Sequence, residues 1–171
     1  GRKVRVYLID DHPIVREGFA RALADAPDIV VVGQAETAAD ALKEAPFTSP
    51  DLILVDLNMP DRDGIELIGA LHARMPEVKL LVLSAYDDEF RVAEALRAGA
   101  HGYLVKTSKM EEVIEGIRRS AAGGAALSPR MRAAFRERSA VVFYVVAAVV
   151  MFFCSFGPEP LLHGERVLYE P

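Results

Sequence analysis

The sequence predicts an α/β protein built from five βα units around a parallel sheet, and three observations carry that prediction. From Val4 to about Ala122, short apolar strands alternate with amphipathic stretches of about ten to fifteen residues that read as helices. Four of the five strands are rich in Val, Ile and Leu, as strands buried on both faces should be. Reactive side chains fall where strands end: Asp10–Asp11 after VRVYLI, Asp56 after LILV, Ser84 after KLLVL and Lys106 after GYLV. In a parallel sheet those carboxyl ends lie along one edge, so residues distant in sequence converge on one crevice.

The strands are expected at Val4–Ile9, Ile29–Ala35, Leu52–Val55, Lys79–Leu83 and Gly102–Val105, the last being the least hydrophobic. The first helix is expected to begin near Pro13, whose fixed φ and missing N–H suit a first turn, and to run to about Ala26 before Pro27. A second covers roughly Ala38–Ala45 and is stopped by Pro46. The third follows Gly64 and ends before Pro76. The fourth spans about Glu89–Ala98, with Gly99 as a left-handed cap, and the fifth runs from about Lys109 to Gly123–Gly124.

At 171 residues and 51% hydrophobic content, the chain supports one full-sized core plus an appendage. The net charge of -5 argues against a nucleic-acid surface spread over the whole protein, although a local basic patch survives such an average. Cys154 is the only cysteine, which excludes an intramolecular disulfide, and the chain opens on no secretion signal, so a cytoplasmic setting is expected.

A carboxylate triad facing one hydroxyl and one ammonium suits metal-assisted phosphoryl transfer to a carboxylate. Each residue alone has a plainer reading. Asp10–Asp11 before His12–Pro13 would favour a helix N-terminus, Asp56 would be a turn residue, Ser84 a strand-end hydroxyl and Lys106 a solvated charge. Their joint placement outweighs those readings. Tyr103 is by itself an ordinary half-buried aromatic. His12, His72, His101 and His163 show no metal-ligand spacing and are expected in solvent.

The segments LIDDHPIVREG, DLILVDLNMPDRDGIEL, VLSAYDD and AGAHGYLVKTS resemble the receiver domain of two-component response regulators of the NarL/FixJ (LuxR-type) branch, over about residues 3–124. The resemblance implies a flavodoxin-like fold, strand order 2-1-3-4-5, phosphorylated on aspartate by a sensor histidine kinase. It implies Asp56 as the phosphoacceptor, and Mg²⁺ held by Asp10, Asp11, Asp56 and the backbone carbonyl of Asn58. It further implies that Lys106 pairs with Asp56 and then with the phosphoryl group. Ser84 would bind another phosphoryl oxygen, and Tyr103 would swing inward as the switch is thrown. Asn58 and Tyr86 occupy positions that tune dephosphorylation in the family.

By this reading, residues 1–124 are the receiver, 125–139 a linker helix and 140–171 an apolar C-terminal extension in place of the family's helix-turn-helix domain. The linker carries Arg130, Arg132, Arg136 and Arg138, for which a solvated face is favoured over phosphate contact. The run from Ala140 to Phe156 leaves three readings open: a packed interface between protomers of a homodimer, an altered terminus, or a membrane anchor. DNA binding is then a property of the family and is not expected of this chain. Two functional alternatives to a response regulator also stand. One is a phosphohydrolase of the haloacid dehalogenase type, and chain order disfavours it, because such enzymes carry the nucleophile on the first strand. The other is a stand-alone receiver acting through protein–protein contact.

Overall fold

The computed structural model describes residues 1–85, 88–127 and 132. Gly1–Arg132 group as one unit. Residues 133–171, including the apolar run and Cys154, lie outside the described residues, as do Tyr86, Arg130, Arg136, Arg138 and His163.

Strands and helices alternate along the chain as β1 Val4–Ile9, α1 Pro13–Ala24, β2 Ile29–Ala35, α2 Ala38–Thr48, β3 Leu52–Asp56, α3 Gly64–Arg74, β4 Lys79–Ser84, α4 Glu89–Ala98, β5 Gly102–Val105 and α5 Met110–Ala121. A two-residue β6, Ala126–Leu127, follows. All pairings are parallel and the order is β2-β1-β3-β4-β5-β6. The expected five-strand order is present, with one strand added. Residues 126–127 therefore extend the sheet and do not start a linker helix.

Period-2 alternation divides the strand side chains between the two faces. Val6, Leu8, Leu52, Leu54, Leu81, Leu83 and Leu104 share one cluster with Leu23 of α1 and Val113 and Ile117 of α5. The intervening Tyr7, Ile9, Ile53, Val55, Leu80, Val82 and Tyr103 are equally buried, as are the inward residues of α2, α3 and α4, such as Ala41, Leu67, Leu71 and Val92. Double burial explains why the strands read as apolar runs.

Local chemistry sets the helix ends. Side chains of Thr37, Asp63 and Asp88 accept backbone N–H bonds in the first turns of α2, α3 and α4. Gly99, at φ 118, closes α4, and a Cβ there would run into the His72 ring. α1 stops at Ala24, two residues short of the expected end, because the chain tightens into an Ala26 N–H to Leu23 carbonyl bond. α2 runs through Pro46 to Thr48, where the sequence predicts a stop. So near a helix end the proline forfeits a single N–H bond. The Arg5 guanidinium meanwhile donates to the Thr48 and Ser49 carbonyls at 2.7 and 2.9 Å, replacing the partners that a C-terminus lacks.

Candidate functional site

Register brings the functional ends together. Ile9 of β1 stands opposite Val55, Asp56 opposite Leu83, and Ser84 opposite Val105. Asp10, Asp56, Ser84 and Lys106 therefore meet at the carboxyl edge of the three central strands and β5. Asp56 and Ser84 are the last residues of their strands, one position further than the expected ends.

Lys106 Nζ joins two acids, donating to Asp10 Oδ2 at 2.7 Å and Asp56 Oδ2 at 2.8 Å. The remaining oxygens of both carboxylates are held by main chain: Asp56 Oδ1 accepts from the Asn58 N–H at 3.0 Å, and Asp10 Oδ1 from the His12 N–H at 2.8 Å. Both acids are nearly inaccessible, Asp56 at 1% and Asp10 at 6%. Burial opposes the charge on Lys106 and is the largest single influence on it, yet the hydrogen bonds and charges of Asp10 and Asp56 together hold its pKa above the ordinary lysine value.

Asp11 completes the cluster. One ligand atom from each of Asp10, Asp11, His12 and Asp56 lies within 4.8 Å of the others. Asp11 Oδ1 is buried with no hydrogen-bond partner among the described residues, although His12 Nδ1 approaches it to 2.8 Å. The approach lacks hydrogen-bond geometry and leaves Asp11 Oδ1 without a donor. Three carboxylates against one ammonium, one of them with an unsatisfied buried oxygen, form a set of hard donors that fits a divalent cation with oxygen ligands. His12 is exposed but belongs to this cluster, which its spacing in sequence did not reveal.

Ser84 and Tyr103 are linked. Tyr103 is fully buried, its pKa is raised chiefly by that burial, and a side-chain hydrogen bond with Ser84 pulls the other way. The ring thus lies inside, not half-buried as its sequence setting suggested.

Two further side chains belong to the surroundings and were not singled out in the sequence. Arg16 of α1 donates to the Asp10 carbonyl at 2.6 Å and lines the small cavity beside Asp10 and Asp56. Asp61, on the β3–α3 loop, accepts from the Ala38 and Ala39 N–H groups at 3.1 and 3.2 Å. The Ala38 bond foremost holds the Asp61 carboxyl below the usual carboxylate range. Both interactions end on main-chain groups, and only that of Asp61 joins segments distant in sequence. His72 and His101 also depart from expectation. They stack edge to face at 6.3 Å, both half-buried, and His101 Nδ1 lies 3.2 Å from the Leu80 N–H as its acceptor. Among the described residues no helix is long and apolar enough to cross a membrane.

Comparison with known proteins agrees with this geometry. Residues 6–118 match the family model of the response regulator receiver domain. The chain is 41% identical over 129 residues to the transcriptional regulatory protein DegU of Brevibacillus brevis, covering 75% of this chain and 55% of DegU. It is 42% identical over 169 residues to the uncharacterized transcriptional regulatory protein YxjL of Bacillus subtilis, covering 99% of this chain and 70% of YxjL. The signal receiver domain of the putative response regulator NarL from Mycobacterium tuberculosis superimposes with a TM-score of 0.68 at 37% identity, covering 72% of this chain and 99% of that one. The chain thus spans between about half and somewhat over two thirds of the curated relatives it matches. The family match decides against the phosphohydrolase alternative. Sheet order, the acid edge and the matched sequence agree, and the chain belongs to the response regulator receiver-domain family.

Proposed function

We propose that this receiver accepts a phosphoryl group on Asp56 from a sensor histidine kinase and converts the new charge into a change of partner surface around α4, β5 and α5. The observation that carries the proposal is the Lys106 ammonium shared between Asp10 and Asp56 at the mouth of an acid pocket. An Asp56 carboxylate oxygen attacks phosphorus, the bond from phosphorus to the donor breaks, and the donor leaves with the electron pair. Asp10, Asp11, Asp56 and the Asn58 carbonyl would hold Mg²⁺, which screens the acids and polarises the phosphoryl oxygens. The Asn58 N–H and Lys106 orient the nucleophile, each on its own oxygen. Phosphorylation of Asp56 gives Lys106 a phosphoryl oxygen to pair with. The Ser84 hydroxyl, hydrogen-bonded with Tyr103, is then drawn toward the same group, and the α4–β5 surface responds.

The transcriptional role of the relatives belongs to whole proteins, and we assign to residues 1–127 only the phosphoacceptor part of such a role. Incubation with Mg²⁺ and a small acyl phosphate should add one phosphoryl group, seen by intact-protein mass spectrometry and lost in Asp56→Asn. No adduct, or one undiminished by that substitution, would overturn the proposal.

A further inference from the structure

The Asp10–Asp11 pair sits on the loop after β1, and beyond the Asp10 carboxylate's bonds to Lys106 and the His12 N–H its main chain must be fixed against the sheet. Two main-chain bonds fix it. The Asp10 N–H donates to the Ala35 carbonyl at 3.2 Å, and the Asp10 carbonyl accepts from Arg16 Nη1 at 2.6 Å. The second is the shorter and is charge-assisted. Arg16 is largely buried, with its side chain 15% exposed, and its other terminal nitrogen lies 3.6 Å from Glu36, just after β2. Two and three residues on, the N-terminus of α2 is tied through Ala38 and Ala39 to Asp61, on the loop that carries Asn58. The β2–α2 corner therefore braces both loops that bear acid-pocket ligands.

We propose that Arg16 is a positioning residue for the acid pocket: it fixes the Asp10 main chain, and so the Asp10–Asp11 pair, against the β2–α2 corner that Asp61 ties to the Asn58 loop. The inference rests on the reading above that the pocket takes a divalent cation. It makes a prediction opposite in sign to a simple charge effect. A cation beside an acid cluster repels a metal ion, so removing it as a mere charge would tighten binding. Removing it as a brace loosens the ligands and weakens binding.

The test is Mg²⁺ titration of the full chain followed by amide chemical shifts, with thermal midpoints recorded without metal. Arg16→Met should raise the half-saturating Mg²⁺ concentration about tenfold. Its phosphorylation rate at saturating Mg²⁺ should recover to near the wild-type rate. Arg16→Lys, which keeps the charge without the fork, should fall between the two. Asp61→Asn, an exposed substitution outside the acid pocket, should weaken binding in the same direction by less, and Arg16→Lys, which leaves the charge count unchanged, decides the matter if Arg16→Met does not fold. Unchanged or tighter binding in these variants, or a rate that saturating Mg²⁺ fails to restore, would overturn the role given to Arg16. A wild-type chain with no saturable Mg²⁺ response would instead overturn the cation reading itself.

Discussion

Replacing Asp11 by Asn should make the metal-free protein more stable while removing most of what Mg²⁺ adds. Asp11 has two carboxylate neighbours, Asp10 and Asp56, with ligand atoms within 4.8 Å. At that separation two unit charges repel by about 3 kcal/mol at an effective dielectric of about 20. By charge count, the single Lys106 ammonium cancels about one of the two repulsions. The Asp11 side chain is 23% exposed, so water weakens what remains to about 1–2 kcal/mol. The contact with His12 offsets little, since the His12 side chain is 62% exposed. In a domain of this size the change corresponds to a rise of about 3–8 °C in the thermal midpoint. Mg²⁺ at ten times its Kd should stabilise the wild type by about 1.4 kcal/mol, whereas a variant with tenfold weaker affinity gains only about 0.4 kcal/mol. Differential scanning calorimetry with and without Mg²⁺ reads both quantities. A metal-free midpoint below wild type, or an equal Mg²⁺ increment in the two proteins, would refute the reasoning.

The raised pKa of Lys106 means that its contribution is whole below the ordinary lysine value of 10.5 and is lost as pH rises through the higher folded value. Urea unfolding at increasing alkaline pH should show that loss in wild type and not in Lys106→Met, and parallel curves would contradict it. His101 has its pKa lowered first by burial and then by the charges of Lys79 and His72, so its contribution is present above the ordinary value of 6.5 and is lost as pH falls through the lower folded one. His101→Gln should flatten that acid limb, and an unchanged pH profile would count against it. Gly64 packs so closely on Leu57 that an added Cβ would overlap the Leu57 main chain. Gly64→Ala should cost about 1–3 kcal/mol in equilibrium unfolding and slow phosphorylation, because the displaced Leu57 adjoins Asp56. Wild-type stability in that variant would show that the loop yields freely.

The fold was legible because double burial imposes a strong signal, with the strands as apolar runs, and because α2, α3 and α4 carry side-chain caps at their starts. Asp56, Ser84 and Lys106 were legible because a strand's carboxyl end is visible in sequence. The helix that passes through Pro46 was not, since its C-terminal carbonyls are met by Arg5, more than forty residues away in the chain. Arg16 and Asp61 were hidden because their partners, the Asp10 carbonyl and the Ala38 and Ala39 N–H groups, are main chain, and a backbone carbonyl or N–H has no sequence signature. His12 reads as a helix-entry residue, and only the folded loop turns its ring toward Asp10 and Asp11.

The two residues of β6 have a consequence out of proportion to their length. Without them β5 would be the outermost strand, with its main-chain donors and acceptors open to any passing chain. Ala126 and Leu127 stand opposite Gly102 and Tyr103, and Ala126 is itself 2% exposed, packed near Gly116 of α5. A fragment cut at Gly124, where the sequence alone places the domain boundary, would strip this cover and leave a flat apolar rim. It should self-associate on concentration, as light scattering would report, whereas a fragment carried past Leu127 should not. The working boundary of the receiver domain is therefore set by edge protection, a few residues beyond where the last helix stops.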